Sequence, residues 1–370
     1  MKIKITHLTS VHARYDTRIF VKECSSLAKN ENYQVSLIVA DGKGDEVKNE
    51  VHIFDVGAKT GGRISRMTNT VKKVFQKAME LDSDIYHMHD PELIPVGLKL
   101  KKMGKKVIFD AHEDTPKQLR NAPYLNTFLR VVISRVYGMF EKYSLAKFDY
   151  IVAATPYIKE KFLNINKKSI DINNFPVIEE LGNETPWNEK KDEICYVGGI
   201  AKIRGIKELV RAMENVNNVR LNLAGKFVEK DVEAEVKKYT GWSKVNELGF
   251  VGREEIADIL SRSKAGIVTL HPIVNYQDAL PVKMFEYMAA SIPVIASNIL
   301  LWQEIIEDAN CGICVDPMNP NEIANAIEYI MTHQDEAQKM GENGKKAVTE
   351  KYNWSIEEAK LMRVYEEIMR

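Results

Sequence analysis

Residues 278–297 read DALPVKMFEYMAASIPVIAS: a loop carrying an aspartate, a helix that opens on proline, and an apolar strand directly behind it. Pro281 suits the first helical position, where a missing N–H costs nothing. At 100° per residue, Val282, Phe285, Met288 and Ala289 share one apolar face, with Lys283 and Glu286 three apart at its edge. A surface ion pair between those two would account for both without any function. It would leave Asp278 unexplained. A helix running straight into a short apolar strand is half of a βαβ unit, and such units build parallel sheets covered on both faces.

The same alternation runs along most of the chain. KIKITHL, YQVSLIVA, EVHIFDV, DIYHMHD, KKVIFDAH, DYIVAAT and SIDINNF read as strands in the first half. EICYVGG, VRLNLAG, VNELGFV, AGIVTL, IPVIAS and GICVD do so in the second, with amphipathic stretches such as IKELVRAME between them. With 370 residues the chain exceeds one ordinary core and is expected to form two α/β domains. The polar run 178–193, IEELGNETPWNEKKDE, is the expected linker, and the tail WSIEEAKLMRVYEEIMR is a helix with no strand after it. Ligands of open α/β sheets gather beyond the carboxyl ends of the strands, so a cleft between two such domains is the expected site.

Composition excludes some classes. The 52 basic residues balance 52 acidic ones, which argues against a nucleic-acid-binding protein. No apolar run reaches the ~18 residues of a membrane span. MKIKITHLTS reads as a strand and not as a signal peptide, so the expected location is cytoplasmic, with a peripheral place on the inner face of a membrane left open. The cysteine pair in NCGICVDP has redox or zinc spacing, but with no further ligands nearby it reads as core packing.

The segment EICYVGGIAKIRGIKELVRAM places Gly198 and Gly199 at a strand end, then Lys202 and Arg204, then a helix from about Gly205. Glycines let backbone N–H groups approach an anion, the helix start adds partial positive charge, and a guanidinium fits phosphate oxygens. A tight turn with a solvated basic residue would explain this segment equally well. The glycine fingerprint of dinucleotide binding is missing after the first strand, and there is no Walker loop.

Together these motifs resemble the GT-B retaining glycosyltransferases of family 4. The carriers are GGIAKIRG, the two acids separated by seven residues in DALPVKMFEYMAASIPVIAS, and, in the first half, DTRIF, HMHDPELIP, VIFDAHE and NNFP. The resemblance implies two Rossmann-like α/β domains facing across a cleft, 1–178 for the acceptor and 190–352 for the donor nucleotide sugar. Helix 353–370 would cross back to the N-terminal domain. It also implies transfer of a sugar, with retention, from a UDP- or GDP-sugar to a hydroxyl of a glycan or lipid-linked acceptor in bacterial surface polysaccharide synthesis. No cofactor and no metal are expected.

On this resemblance Glu286 accepts from the ribose hydroxyls, Lys283 and Arg204 flank the diphosphate beside Gly198 and Gly199, and Asp278 faces the donor sugar near the Leu280 amide. Phe250, Val251 and Arg253 fall in the loop LGFVGREEI that holds the nucleobase. His112 approaches the donor sugar; His89 and Asp90 support it or meet the acceptor, and Asp16 and Arg18 lie on the acceptor side, where a solvated salt bridge is the competing reading. The catalytic set is therefore His112, Arg204, Lys283 and Asp278. Two departures stand out: the first acid is Asp278 where the family has Glu, and Gly199 replaces the usual arginine.

Three readings remain beside this. Arg63, Arg66, Lys72, Lys73 and Lys77 form a basic helix side that is either solvated or drawn to anionic lipid. Asp82-Ser83-Asp84 resembles the metal-binding Asp-x-Asp of GT-A enzymes, but it precedes its strand and so lies at the end away from ligands. The alternatives to a transferase are a GT-B-like sugar-nucleotide epimerase or hydrolase, and a non-catalytic sugar-binding protein.

Overall fold

A computed structural model describes residues 2–62, 65–121, 126–181 and 185–370. The chain divides into two compact units, residues 1–174 with 357–370, and residues 175–356.

The first unit is built on eight strands: β1 (Ile3–Leu8), β2 (Tyr33–Val39), β3 (Glu46–Lys48), β4 (Val51–Asp55), β5 (Ile85–Met88), β6 (Lys106–Ala111), β7 (Tyr150–Ala153) and β8 (Ser169–Asp171). Their order is β3-β4-β2-β1-β5-β6-β7-β8, parallel except where β3 meets β4. That hairpin was not foreseen. It turns through Asn49 and Glu50, both at positive φ, the geometry that matches the twist of paired strands. The central strands are buried on both faces, as at Ile5, Leu8, Ile85, Met88, Ile108 and Ile151, which explains their near-continuous apolar reading. Behind β1, Thr17–Cys24 is wound as a π-helix, with Val21 N donating to Asp16 O five residues back at 3.1 Å. The widened turn sends Arg18, Lys22 and Glu23 inward, and all three are buried. Periodicity gives no warning of such a turn.

The second unit carries β9 (Glu193–Val197), β10 (Arg220–Ala224), β11 (Val245–Gly249), β12 (Ala265–Val268), β13 (Val294–Ser297) and β14 (Gly312–Val315). The order β11-β10-β9-β12-β13-β14, parallel throughout, is that of a doubly wound sheet. Its strand order reverses between β9 and β12; in the first sheet the reversal lies between β1 and β5. Open α/β sheets in general take their ligands at such reversals.

Two boundaries differ from the sequence reading. The run 178–193 belongs to the second unit, because Leu181 and Lys190 are buried there and the division falls after residue 174. The final helix, Trp354–Met369, begins in the second unit, where Trp354 N donates to Pro176 O. From Glu357 it belongs to the first, burying Leu361, Val364 and Tyr365.

Candidate functional site

At the switch point of the second sheet, β9 ends on Val197 and the chain turns at Gly198 with φ 121°. A Cβ on Gly198 would stand 3.5 Å from Lys283 Nζ, and one on Gly225 would collide with Gly198 O at 1.9 Å. The loop is thus packed so closely that only glycine fits at Gly225. Gly199 O accepts hydrogen bonds from Tyr196 Oη at 2.9 Å and Arg204 Nη1 at 3.0 Å, which aims the guanidinium back over the turn. Gly205, at φ 77°, brings the following helix Ile206–Ala212 against Thr269 just beyond β12.

The helix Val282–Ala289 packs beside this turn, with Pro281 as its N-cap, one residue ahead of the expected position. Lys283 and Glu286 are not a surface ion pair. Lys283 Nζ lies 3.6 Å from the centre of the Tyr196 ring, is buried, and has no hydrogen-bond partner among the described residues. Burial pulls its pKa down to about 7, Arg204 adds to that, and Glu286 opposes it. An amine held this way gives up its proton more readily than a solvated lysine, and an incoming anion favours its charged form. Glu286 is 7% exposed, and Arg253 Nη1 donates to its Oε1 at 2.7 Å. The other arm of Arg253 reaches Glu180 Oε2, from Nη2 at 2.8 Å and Nε at 3.1 Å.

Around these, Val251 and Leu280 pack half-buried on the core, and Phe250 stands 77% exposed with Lys226 Nζ 5.3 Å from its ring centre. Asp278 closes the short helix Val274–Gln277 as its C-cap, in a loop fixed by Trp302 Nε1 donating to Ala279 O at 2.7 Å. The second unit therefore gathers Gly198, Gly199, Arg204, Lys283, Glu286 and Arg253. Sequence reasoning missed the Tyr196 ring, Glu180 as second partner of Arg253, and the buried Thr269 hydroxyl beside Gly205, which has no partner among the described residues.

In the first unit most expected acceptor residues are spoken for internally. Arg18 is 4% exposed and clasps Asp110 with two bonds of 2.8 Å while its third nitrogen donates to Ile172 O at 2.7 Å. It is neither solvated nor open to a substrate. Asp16 caps Thr17–Cys24, accepting from Arg18 N at 2.9 Å and Ile19 N at 3.0 Å. Burial alone would raise its pKa, but His12 and those two N–H groups hold it well below the usual carboxylate range. Asp90 ties down the loop after β1, accepting from Thr9 Oγ1 at 2.8 Å and from the backbone of Ser10 and Val11. His89 is buried between His7 Nδ1 at 2.9 Å and Asp110 Oδ2 at 3.1 Å.

His112 is the member that reaches outward. Its side chain is 21% exposed, and Nε2 lies 2.9 Å from Asp110 Oδ2. Arg18, Asp110 and His112 thus form a chain from the interior to the carboxyl end of β6, and the His12 ring lies tilted against His112, their centres 5.0 Å apart. In the sequence Asp110 is only part of a strand pattern; its role depends on the π-turn that delivers Arg18.

The remaining sequence candidates separate cleanly. Asp82 pairs with Lys105 at 2.6 Å and Asp84 accepts from Lys4 N at 2.9 Å, both at the start of β5, with His89 beyond its other end. Cys311 and Cys314 lie in the core of the second unit, in no group able to hold a metal among the described residues. Arg63 lies outside the described residues. Arg66 pairs with Glu92 at 2.7 Å and Lys77 with Glu80 at 2.6 Å, which leaves that helix less basic than its sequence suggests.

Residues 177–347 match the family Glycosyl transferases group 1, and residues 18–172 match Glycosyltransferase Family 4. An uncharacterised glycosyltransferase of Methanocaldococcus jannaschii is 27% identical over 231 residues, covering 62% of this chain and 62% of that protein. Among solved structures, sucrose-phosphate synthase from Thermosynechococcus elongatus superposes with a TM-score of 0.78 at 18% identity, over 100% of this chain and 99% of that one. The Anabaena protein HepE in complex with UDP-glucose does so with a TM-score of 0.72 at 14% identity, over 99% of this chain and 100% of that one.

Proposed function

We propose, for a chain that belongs to the group 1, family 4 glycosyltransferases, that it moves a sugar from a UDP- or GDP-sugar to a hydroxyl of a glycan or lipid-linked acceptor. The bond from the anomeric carbon to the diphosphate breaks, and a new bond to the acceptor oxygen forms on the same face. The acceptor proton passes to the departing phosphate oxygen, and the nucleoside diphosphate leaves. The anomeric configuration is retained.

The observation that carries this reading is Lys283, an unpartnered buried ammonium at the switch point with Arg204 and the Gly198–Gly199 turn around it. Such a group is unfavourable until a diphosphate pairs with it, and its interaction strengthens as negative charge builds on the leaving group. Arg204, with one nitrogen on Gly199 O, keeps others for phosphate oxygens. Protein cations thus stand where a metal would otherwise neutralise the diphosphate, and we assign no metal to that step. Glu286 accepts from the ribose, an acceptor-only role that suits a carboxylate. His112, the outward histidine of the first unit, contacts substrate, and Asp110 positions it.

A lipid-linked acceptor would wait at a membrane surface, and the helix Thr127–Leu145 has the character to meet one. It exposes Phe128, Val132, Val136, Met139 and Tyr143, with Phe128 at 76%. Its basic residues are Arg130, Arg135 and Lys142, and its one acid, Glu141, is buried against Lys161. An apolar and cationic face of this kind suits anionic lipid better than the helix after Arg63. No helix among the described residues is long and apolar enough to cross a membrane.

The test is a thermal-shift screen of nucleoside diphosphates and their sugars, followed by incubation with the sugar nucleotide that stabilises. Transfer to an added acceptor with the anomeric configuration kept is the expected result. Rapid epimerisation or release of free sugar from the donor alone would instead favour an epimerase or hydrolase.

A further inference from the structure

We propose that His7, Glu23, His87 and His89 form a closed four-ligand site for zinc inside the first unit, a role outside the transfer chemistry. All four side chains are fully buried. His7 and His87 are register partners on β1 and β5, His89 follows just past β5, and the π-turn delivers Glu23 from the helix above. One carboxylate oxygen, Glu23 Oε2, stands 3.9 Å from each of three ring nitrogens: His7 Nδ1, His87 Nδ1 and His89 Nε2.

The equal spacing is that of a carboxylate hydrogen-bonded to none of the three imidazoles: among the described residues neither of its buried oxygens has a hydrogen-bond partner. Asp110 lies beside it, and a proton held between those two carboxylates is the occupant that competes with zinc. Ligand atoms about 2.0–2.1 Å from a tetrahedral zinc lie roughly 3.3 Å from one another, so drawing Glu23 inward by about half an ångström closes the site. His7 Nδ1 and His89 Nε2 share a hydrogen bond of 2.9 Å, which zinc would replace as the two nitrogens spread by a similar amount.

Behind two of the three histidines stand partners of the kind such a site uses, while His87 Nε2 is buried without a partner among the described residues. A metal-bound histidine usually gives its second nitrogen to an acceptor. His89 Nδ1 faces Asp110 Oδ2 at 3.1 Å, and His7 Nε2 faces Tyr365 Oη at 3.1 Å. Arg18 Nε stands 3.2 Å from Glu23 Oε1, a charge contact out of hydrogen-bond alignment that steadies the second oxygen. His87 Nδ1 now lies 2.8 Å from Tyr365 Oη, so binding at that nitrogen displaces the phenol onto His7 alone. Four protein ligands with no open position make a structural site and not a catalytic one. One ion would pin β1, the helix Thr17–Cys24 and the distant β5 to one another, with the final helix behind them.

The full chain, purified without added metal or a metal-affinity step, is assayed for bound metal by mass spectrometry. After stripping under mild acid it is titrated with zinc while thermal unfolding is followed. The expected results are about one zinc per chain, or a rise in Tm that saturates at about one equivalent. Cobalt in its place should give the intense visible absorption of a tetrahedral ion. Glu23→Gln and His87→Gln should each lose the metal and the cobalt bands. A metal-free protein whose Tm zinc does not move overturns the proposal, and so does zinc retained in both folded variants. The wild-type measurements decide the question by themselves if a variant does not fold, and neither depends on transferase activity.

Discussion

Arg253 Nη1 lies 2.7 Å from Glu286 Oε1, so the carboxylate assigned to the ribose already holds a guanidinium before any nucleotide arrives. One of the two Glu286 oxygens is left for the ribose, and Arg253 fixes which way it points. Glu286→Ala should weaken UDP or GDP binding by about 1.5–3 kcal/mol, the scale of hydrogen bonds to a charged group. Arg253→Ala should weaken it by about 1 kcal/mol, and the double variant should fall short of the sum because the two act as a pair. Calorimetric titration of the four proteins measures this. Unchanged affinity in Glu286→Ala would remove that residue from the site.

Lys283 makes binding depend on pH. Its pKa of about 7 in the folded protein rises when a diphosphate pairs with it, so binding above pH 7 takes up a proton. Affinity should fall with rising pH from about 7, by up to about tenfold per unit. In Lys283→Met the slope attributable to the protein disappears, and calorimetry in buffers of different ionisation enthalpy counts the proton. Folding stability follows the opposite sign. Between about 7 and 10.5 the unfolded chain binds a proton here that the folded one does not, so this group's contribution improves as pH rises. Below 7 the folded protein carries the full cost of the buried charge, and Lys283→Met should unfold at higher temperature there.

Arg204→Ala should act chiefly on turnover. Charge accumulates on the diphosphate as the glycosidic bond breaks, and an interaction that grows along that path lowers kcat when removed. Initial-rate kinetics over a range of donor concentrations separates the two constants. A change confined to KM would reassign Arg204 to simple ground-state binding.

Asp82→Asn with Asp84→Asn should leave kcat within about twofold, since surface substitutions away from a site seldom matter. Asp82 is engaged by Lys105 and Asp84 by Lys4 N, at the strand end opposite His89. Transfer should also proceed equally in EDTA and in Mn²⁺ or Mg²⁺ during a short assay. Complete loss in EDTA, restored by either ion, would place a metal on the diphosphate after all.

The helix Thr127–Leu145 should bind vesicles rich in anionic lipid, more weakly as salt is raised, because exposed charges are screened within about 8 Å at physiological ionic strength. Sedimentation of wild type against Val132→Ser/Val136→Ser and Arg135→Glu/Lys142→Glu tests the two contributions. Equal sedimentation of all three proteins would leave this face without a lipid partner.

Much of the fold is written locally. Short apolar runs alternating with amphipathic ones dictate parallel sheets, because a strand buried on both faces must be apolar throughout. The placement of Lys283 and Glu286 on one helix and of Gly198 at a strand end is local too, although the pairing of β9 with β12 is what brings them together. What the sequence by itself could not determine was which charged groups pair. Arg18 read as a loop residue near a substrate, but the π-turn carries it inward onto Asp110, about ninety positions away in the chain. Likewise only His87 and His89 have a ligand-like spacing; the register of β1 with β5 and the π-turn bring His7 and Glu23 to them. Local pattern specifies elements because backbone geometry is periodic. Pairing among buried charges is decided by tertiary packing, since a carboxylate removed from water must find its partner wherever the fold puts one.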